Sequence, residues 1–269
     1  MNLKNIENNA KYISNFRSIH CSGLSDLFMP ESKLIQFDLV DIYNKWNNYL
    51  GKKDLSFSRF LSIYHNDLLL TYALKEAILS LNRLDVEKWK YKEPLKDWEK
   101  MNLMIKSHEA VYHLVNLTVL LRINYERFIL CLQELFQCNK GKKFEAKRKA
   151  IIDKINEKKI NQNLIKVVES IDIGNIKEYR EKIIHKSGLY FQEFFPSAKS
   201  NLDFDVFLSE IRNEIVKFYI LMQRFIYCSI GEKPKFNLNY GHISKEEFNK
   251  RLKESKSKLS KEVSQNERF

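Results

Sequence analysis

The sequence predicts an all-α protein, and three observations support this fold class. Only 7 Gly and 4 Pro are spread over 269 residues, whereas a β-sandwich or barrel needs turn residues about every 8–12 positions. Hydrophobic residues make up 44% of the chain and aromatic residues 13%, which is enough apolar surface to offset the entropy of ordering a folded core. No pair of alternating strand-like segments joined by a hairpin turn stands out.

The first predicted helices are separated by the few glycines and prolines. A short helix is predicted at 37–50, and a longer one at 57–81, where apolar residues recur at steps of three and four. The segment 101–136 contains no Gly or Pro and is dense in Leu, Ile and Val. It predicts one long or kinked helix of roughly 50 Å.

Further helices are predicted at 144–155 and 176–187, the second with Asn175 as N-cap and Gly188 as the stop. The clearest pattern lies at 204–225, inside a predicted helix at 202–230. There, apolar residues alternate steps of four and three, as in the seam of a helix bundle. The seam residues are Phe204, Leu208, Ile211, Ile215, Phe218, Met222 and Phe225.

The domain organisation follows from these elements. Residues 1–55 are predicted to form an N-terminal helical extension packed on the core, and residues 56–230 the main helical bundle. Residues 231–269 are predicted to form a linker, a short helix that begins at Ser244 with Glu247 at the capping-box distance, and a polar tail. The segment 250–269 is nearly all polar, and we expect its end to be frayed. Because this segment offers few apolar anchors, we expect the bundle to fold without the residues after 250.

The compartment is inferred from what the chain lacks. The N-terminus has no unbroken apolar stretch typical of a secretory signal, and no later run approaches the roughly 18 apolar residues of a membrane span. We therefore expect a soluble, cytoplasmic protein without membrane contact. The four cysteines, at positions 21, 131, 138 and 228, form no CxxC pair, so we interpret them as reduced, buried thiols.

Basic residues exceed acidic ones by 46 to 34, giving a net charge of +12, and this sign favours polyanionic partners such as RNA. The segment 140–159 carries nine Lys or Arg against three acids. Two interpretations remain open: a solvated helix face, or a strip that binds phosphates without sequence preference. On the second interpretation Lys147, Arg148 and Lys149, together with Lys186, contact RNA electrostatically.

Metal and nucleotide sites are not predicted. His108 and His113 are five residues apart, whereas the helical zinc motif needs a spacing of four. No glycine-rich string of the phosphate-binding kinds occurs, and we expect no cofactor.

The string Tyr179-Arg180-Glu181-Lys182-Ile183-Ile184-His185 lies on the predicted helix 176–187. At 100° per residue, Arg180 falls within an apolar arc formed by Ile176, Tyr179, Ile183 and Ile184. A guanidinium there needs a partner or a cleft. His185 lies in the last turn, where the helix dipole favours a protonated ring. Arg59 and His65 form a looser pair of the same kind, which we interpret as a chance match.

An Arg-x4-His string on a late helix of an all-helical protein resembles the HEPN superfamily, many of whose members are metal-independent endoribonucleases of toxin–antitoxin and phage-defence systems. Ile183 and Ile184 before the histidine and the long helix that follows fit the family, while Glu181 replaces the Asn, Asp or His often found after the arginine. The resemblance covers about 57–230. It implies a HEPN-like bundle, a homodimer that acts on RNA, catalytic Arg180 and His185, and an antitoxin protein as a possible partner.

Two other interpretations remain open. The first is a catalytically inactive HEPN-like bundle that binds RNA or a partner protein, and Glu181 favours it. The second is a helical scaffold unrelated to HEPN, in which Arg180 pairs with a carboxylate and His185 caps the helix C-terminus.

Overall fold

The computed structural model describes residues 54–90, 94–138, 141–159, 162–187, 204–229 and 242–266. Within these residues every regular element is an α-helix, so the predicted all-α fold class is confirmed. The predicted helix at 37–50, most of the predicted N-terminal extension and the stretch 230–241 lie outside the described residues.

Two long antiparallel helices, α1 (Asp54–Lys90) and α2 (Asp97–Leu135), form the largest packing unit. Near one end, the Asn66 side-chain amide donates to the Leu120 carbonyl at 3.0 Å and to the Asn124 side-chain oxygen at 2.7 Å. Near the other end, the Arg83 guanidinium donates to the Glu109 carboxylate at 2.6 Å. The helices predicted at 57–81 and 101–136 are both confirmed, and α1 continues nine residues past the predicted end.

The chain turns back after α2 with the help of two left-handed residues. Gln137 has φ 53° and Gly141 has φ 93°. A Cβ atom on Gly141 would lie 2.8 Å from the Ala146 backbone carbon, so this position requires glycine for both its conformation and its space. The turn leads into α3 (Phe144–Glu157), whose buried Ile151 and Ile155 face the core.

A short helix, α4 (Gln162–Glu169), packs against α3 and was not predicted from the sequence. It is only eight residues long, and four of them are buried: Leu164, Ile165, Val167 and Val168. Two further helices follow, α5 (Gly174–Ser187) and α6 (Phe204–Ser229).

The predicted seam of α6 is the centre of the core. The side chain of the predicted seam residue Phe204 lies outside the described residues. The other six are buried, which confirms the predicted face for them: Leu208, Ile211, Ile215, Phe218, Met222 and Phe225. The Phe218 ring lies 4.8 Å from that of Tyr125 on α2, and the Phe225 ring lies 5.6 Å from that of Phe128.

The last helix, α7 (Lys245–Asn266), packs against α1 and α6. Its predicted start is confirmed, because the Ser244 hydroxyl accepts a hydrogen bond from the Glu247 N–H at 3.3 Å. The helix continues to Asn266, into the predicted polar tail, and the end of the tail, which was expected to be frayed, lies outside the described residues. Leu252 and Ser255 are buried, and the Lys256 ammonium lies 3.0 Å from the Asp85 carboxylate of α1.

Candidate active site

Helix α5 carries the Arg-x4-His string, and the structure confirms that this segment is helical. The helix ends at Ser187, immediately before Gly188. The side chains of Arg180, His185 and Lys186 lie outside the described residues, as do those of Arg59 and His65. The geometry of the candidate site is therefore given by the described residues that hold α5 in place.

The start of α5 differs from the prediction. The carboxylate of Asp172 accepts a hydrogen bond from the Gly174 N–H at 2.8 Å, so Asp172 caps the backbone where Asn175 was expected to do so. The side-chain amide of Asn175 instead donates to the Glu214 carboxylate of α6 at 3.0 Å. This bond joins the first turn of α5 to the seam helix.

Two apolar side chains of the same helix pack into the protein, and one of them contacts α6. Ile176 is buried, and the Tyr179 ring meets the Phe207 ring edge to face at 5.7 Å. Both residues belong to the predicted apolar arc, so the described half of that arc does face the core. Glu181, directly after the arginine, is exposed.

A buried acid and a buried phenol lie between α2 and the first turn of α5. Glu214 is buried and its second carboxylate oxygen lies 3.7 Å from the Lys217 ammonium. The Tyr125 hydroxyl is buried without a hydrogen-bond partner among the described residues. Burial raises the pKa of Tyr125 well above its ordinary value, and the charges of Glu214 and Asp172 raise it further.

Tyr179 is affected in the same direction. Burial is again the first cause of its raised pKa, followed by the negative charges of Glu210, Glu214 and Glu178. Both phenols therefore stay protonated at neutral pH, where they can donate a hydrogen bond but not accept a proton as a base. Sequence reasoning did not single out Tyr125 or Glu214. The feature of the sequence that could have indicated them is Glu214, a carboxylate directly before the seam residue Ile215.

The basic residues of α3 fall into two groups. Lys149 is exposed and Lys147 partly exposed, as a phosphate-binding strip requires. Arg148 makes contacts within the protein instead. Its guanidinium donates to the Ile171 carbonyl at 2.7 Å and lies 2.6 Å from the Glu145 carboxylate.

The other chemical groups considered in the sequence are also placed. His108 is exposed, with its Nδ1 atom 3.1 Å from the Met104 carbonyl oxygen. Among the described residues, no group of three or more His, Cys, Asp or Glu side chains is placed to hold a metal ion. Cys131, Cys138 and Cys228 are buried free thiols, and burial raises the pKa of Cys138 and Cys228. The interpretation as buried thiols is confirmed for these three.

No protein-family model, curated protein sequence or solved structure matches this chain. In the part of the chain that the structure describes, none of the helices combines the length and apolar character needed to cross a membrane.

Proposed function

We propose that this protein is a metal-independent endoribonuclease of the HEPN type, with Arg180 and His185 as its catalytic residues. The observation that carries the proposal is the Arg-x4-His string on α5, a late helix followed by the long seam helix α6. The net charge of +12 supports RNA as the substrate.

The two residue types suit cleavage without a metal ion. In this reaction the RNA 2′-hydroxyl attacks the adjacent phosphorus, and the bond to the 5′ oxygen of the next nucleotide breaks. The products are a cyclic phosphate and a free 5′-hydroxyl. Proton transfer by His185 is worth about 10²–10⁴ in rate. Arg180 holds the phosphate through paired N–H donors and stabilises the charge that develops on its oxygens.

The contacts of α5 support a site that needs fixed geometry. Catalytic groups must be held within about 0.5 Å of their productive positions, which requires a rigid supporting element. Three described contacts supply this support: the hydrogen bond between Asn175 and Glu214, the buried Ile176 and the ring contact of Tyr179. They all lie within the two turns that precede or include Arg180.

The resemblance extends the proposal to assembly and biological role. HEPN proteins usually form a composite cleft from the motifs of two protomers, so we propose a homodimer in which each Arg180 faces the partner. The proposed role is a toxin or phage-defence effector, with an antitoxin protein as a further partner.

The test is cleavage of total RNA by the purified protein in excess EDTA. We expect the wild type to cleave and His185→Ala to lose cleavage while keeping its fold and RNA affinity, because the proton-transfer group is gone. Arg180→Ala is expected to lose cleavage together with part of its RNA affinity.

Matched controls come from the second pair of the same residue types. Arg59→Ala and His65→Ala should both stay active, since we interpret that pair as a chance match. Activity that disappears in EDTA would contradict the metal-free mechanism, and activity that survives in His185→Ala would contradict the site.

A second candidate function is a catalytically inactive HEPN-like bundle that binds RNA or a partner protein and regulates it. The acidic Glu181 directly after Arg180 favours this function, because it places a negative charge next to a group that must bind phosphate. It predicts RNA binding by a wild type that cleaves no RNA, and Glu181→Asn is the first variant to assay for restored cleavage.

A further inference from the structure

Large apolar side chains are exposed along one side of the α1–α2 pair. Trp98 and Met101 are each 60% exposed and Tyr112 is 63% exposed, whereas soluble monomers rarely expose a contiguous apolar patch of more than a few hundred Å². We name these side chains together with their exposed apolar neighbours the apolar stripe. Its members are Leu69, Tyr72, Trp98, Met101, Ile105, Tyr112 and Val119.

The stripe follows the repeat of a helix-packing seam. On α2, positions 98, 101, 105, 112 and 119 fit one series of alternating steps of three and four, which His108 and Val115 complete. The series runs for about 30 Å. It lies roughly 180° around the helix from the buried face of Leu103, Leu114 and Leu121. A helix that is apolar on two opposite faces is typical of one that is covered on both.

Helix α1 extends the stripe at one end. The contacts of Asn66 with Leu120 and Asn124 fix the antiparallel register of α1 on α2. In that register Leu69 and Tyr72 lie beside the turn of α2 that carries Val119. At the other end of the stripe, the side chains of Trp98 and Met101 are large enough to fill the space between two packed helices.

We propose that the apolar stripe binds the same stripe of a second copy of this chain, with the two α2 helices antiparallel about a two-fold axis near His108. Covering the seven side chains would remove roughly 700–800 Å² from each protomer, close to the roughly 800 Å² per partner of a standard stable interface. In this arrangement Ile105 faces the partner's Tyr112. Trp98 and Met101 face the partner's Val119, with Leu69 and Tyr72 beside it.

The sizes of the side chains favour the antiparallel arrangement. An antiparallel pair places Trp98 and Met101 of one protomer against the smaller Val119 of the other, whereas a parallel pair places Trp98 against its own copy, and large side chains pack best against small ones. The charges at the two ends are paired within each helix, Asp97 with Lys100 at 3.4 Å and Arg122 with Glu126 at 2.9 Å, so they do not set the orientation.

This interface is separate from the composite cleft of the proposed ribonuclease. Helix α5 packs against α2 on its buried side, where Asp172 and Glu214 influence Tyr125. The stripe lies on the opposite side of α2. A protomer that uses two different two-fold contacts forms an assembly larger than a dimer. The stripe is therefore tested, without RNA, by the change in assembly size when the stripe alone is disrupted.

The first experiment is sedimentation of the full chain at micromolar concentration. We expect the wild type to associate through the stripe, and Ile105→Glu and Tyr112→Glu should each raise the dissociation constant of this contact by about tenfold or more and leave an assembly smaller than that of the wild type. Because both side chains are exposed, circular dichroism and the melting temperature of the variants should stay close to those of the wild type. Lys253→Glu, at an exposed position of α7, is the charge control and should keep the wild-type assembly.

The second experiment fixes the orientation by disulfide cross-linking in a Cys21→Ser background. Trp98→Cys combined with Val119→Cys should form a covalent dimer, whereas Trp98→Cys alone should not. Cross-linking by Trp98→Cys alone would overturn the antiparallel arrangement. A monomeric wild type, or an assembly of wild-type size in both glutamate variants, would overturn the proposal. A monomer in which Tyr112→Cys is protected from maleimide would also overturn it, and would assign the stripe to a segment of the same chain.

Discussion

Neighbouring cationic side chains on α3 have opposite environments, although the sequence gives them the same apparent role. Arg148 binds the Ile171 carbonyl and Glu145, whereas Lys149 is exposed. The basic strip was visible in the sequence, but the carbonyl that accepts the hydrogen bond of Arg148 belongs to Ile171, 23 residues later in the chain. Asn175 was misassigned for the same reason, since its partner Glu214 lies 39 residues away. Residue types predict candidate partners, and the tertiary fold selects among them.

At the residue scale, the seam of α6 supports a severe destabilisation by Ile215→Asp. Ile215 is 2% exposed, so the new carboxylate would be buried without a counter-charge, and we expect a loss of more than about 4 kcal/mol of unfolding free energy or failure to fold. Urea denaturation followed by circular dichroism measures it. Asn163→Asp introduces the same charge at an exposed position of α4 and should change stability by about 0.5 kcal/mol or less. Similar stabilities for both variants would show that the buried face is misplaced.

At the scale of elements, periodicity predicted the long helices well because each buries a continuous face. The seam of α6 and the length of α2 are both confirmed. Helix α4 was missed because its eight residues have no flanking Gly or Pro, and its apolar residues read equally well as part of a loop. The length of α7 was not predicted, because the overall polarity of the tail hid the helical repeat on which Leu252 and Ser255 are buried. On α5, the sequence predicted the helix that carries Arg180 but not the acid and phenol that surround its first turn.

The docking of α7 predicts unequal effects for two adjacent residues. Leu252 is 3% exposed, and Lys253 beside it is exposed. We expect Leu252→Ala to cost about 2–5 kcal/mol of unfolding free energy, because it removes buried methyl groups and leaves a cavity. Lys253→Ala should be close to neutral. Thermal melts of the two variants decide the matter, and equal melting temperatures would mean that α7 contributes no packing energy to the bundle.

For the whole molecule, attraction to a polyanion depends on where the cations lie as well as on the net charge of +12. Ion pairs within the protein already engage several of the cations, including Arg83, Arg148 and Lys256. Exposed lysines such as Lys149 on α3 and Lys253 on α7 are placed to attract a polyanion. Because exposed lysines lie on both α3 and α7, equal changes of charge on the two helices can be compared. The comparison separates the effect of position from the effect of net charge on RNA affinity.

The strip on α3 is predicted to bind RNA through Lys147 and Lys149, with Arg148 left in place to keep its backbone contacts. Changing both lysines to Glu should weaken RNA affinity across sequences and reduce the slope of log K against log salt by about one unit or more, since each phosphate contact on a single strand contributes about 0.7. The matched control, Lys250→Glu with Lys253→Glu, changes the net charge equally at exposed positions of α7. Filter binding at several salt concentrations measures both variants. If the two double variants lose affinity to the same extent, the attraction comes from net charge alone and the α3 strip is only a solvated helix face.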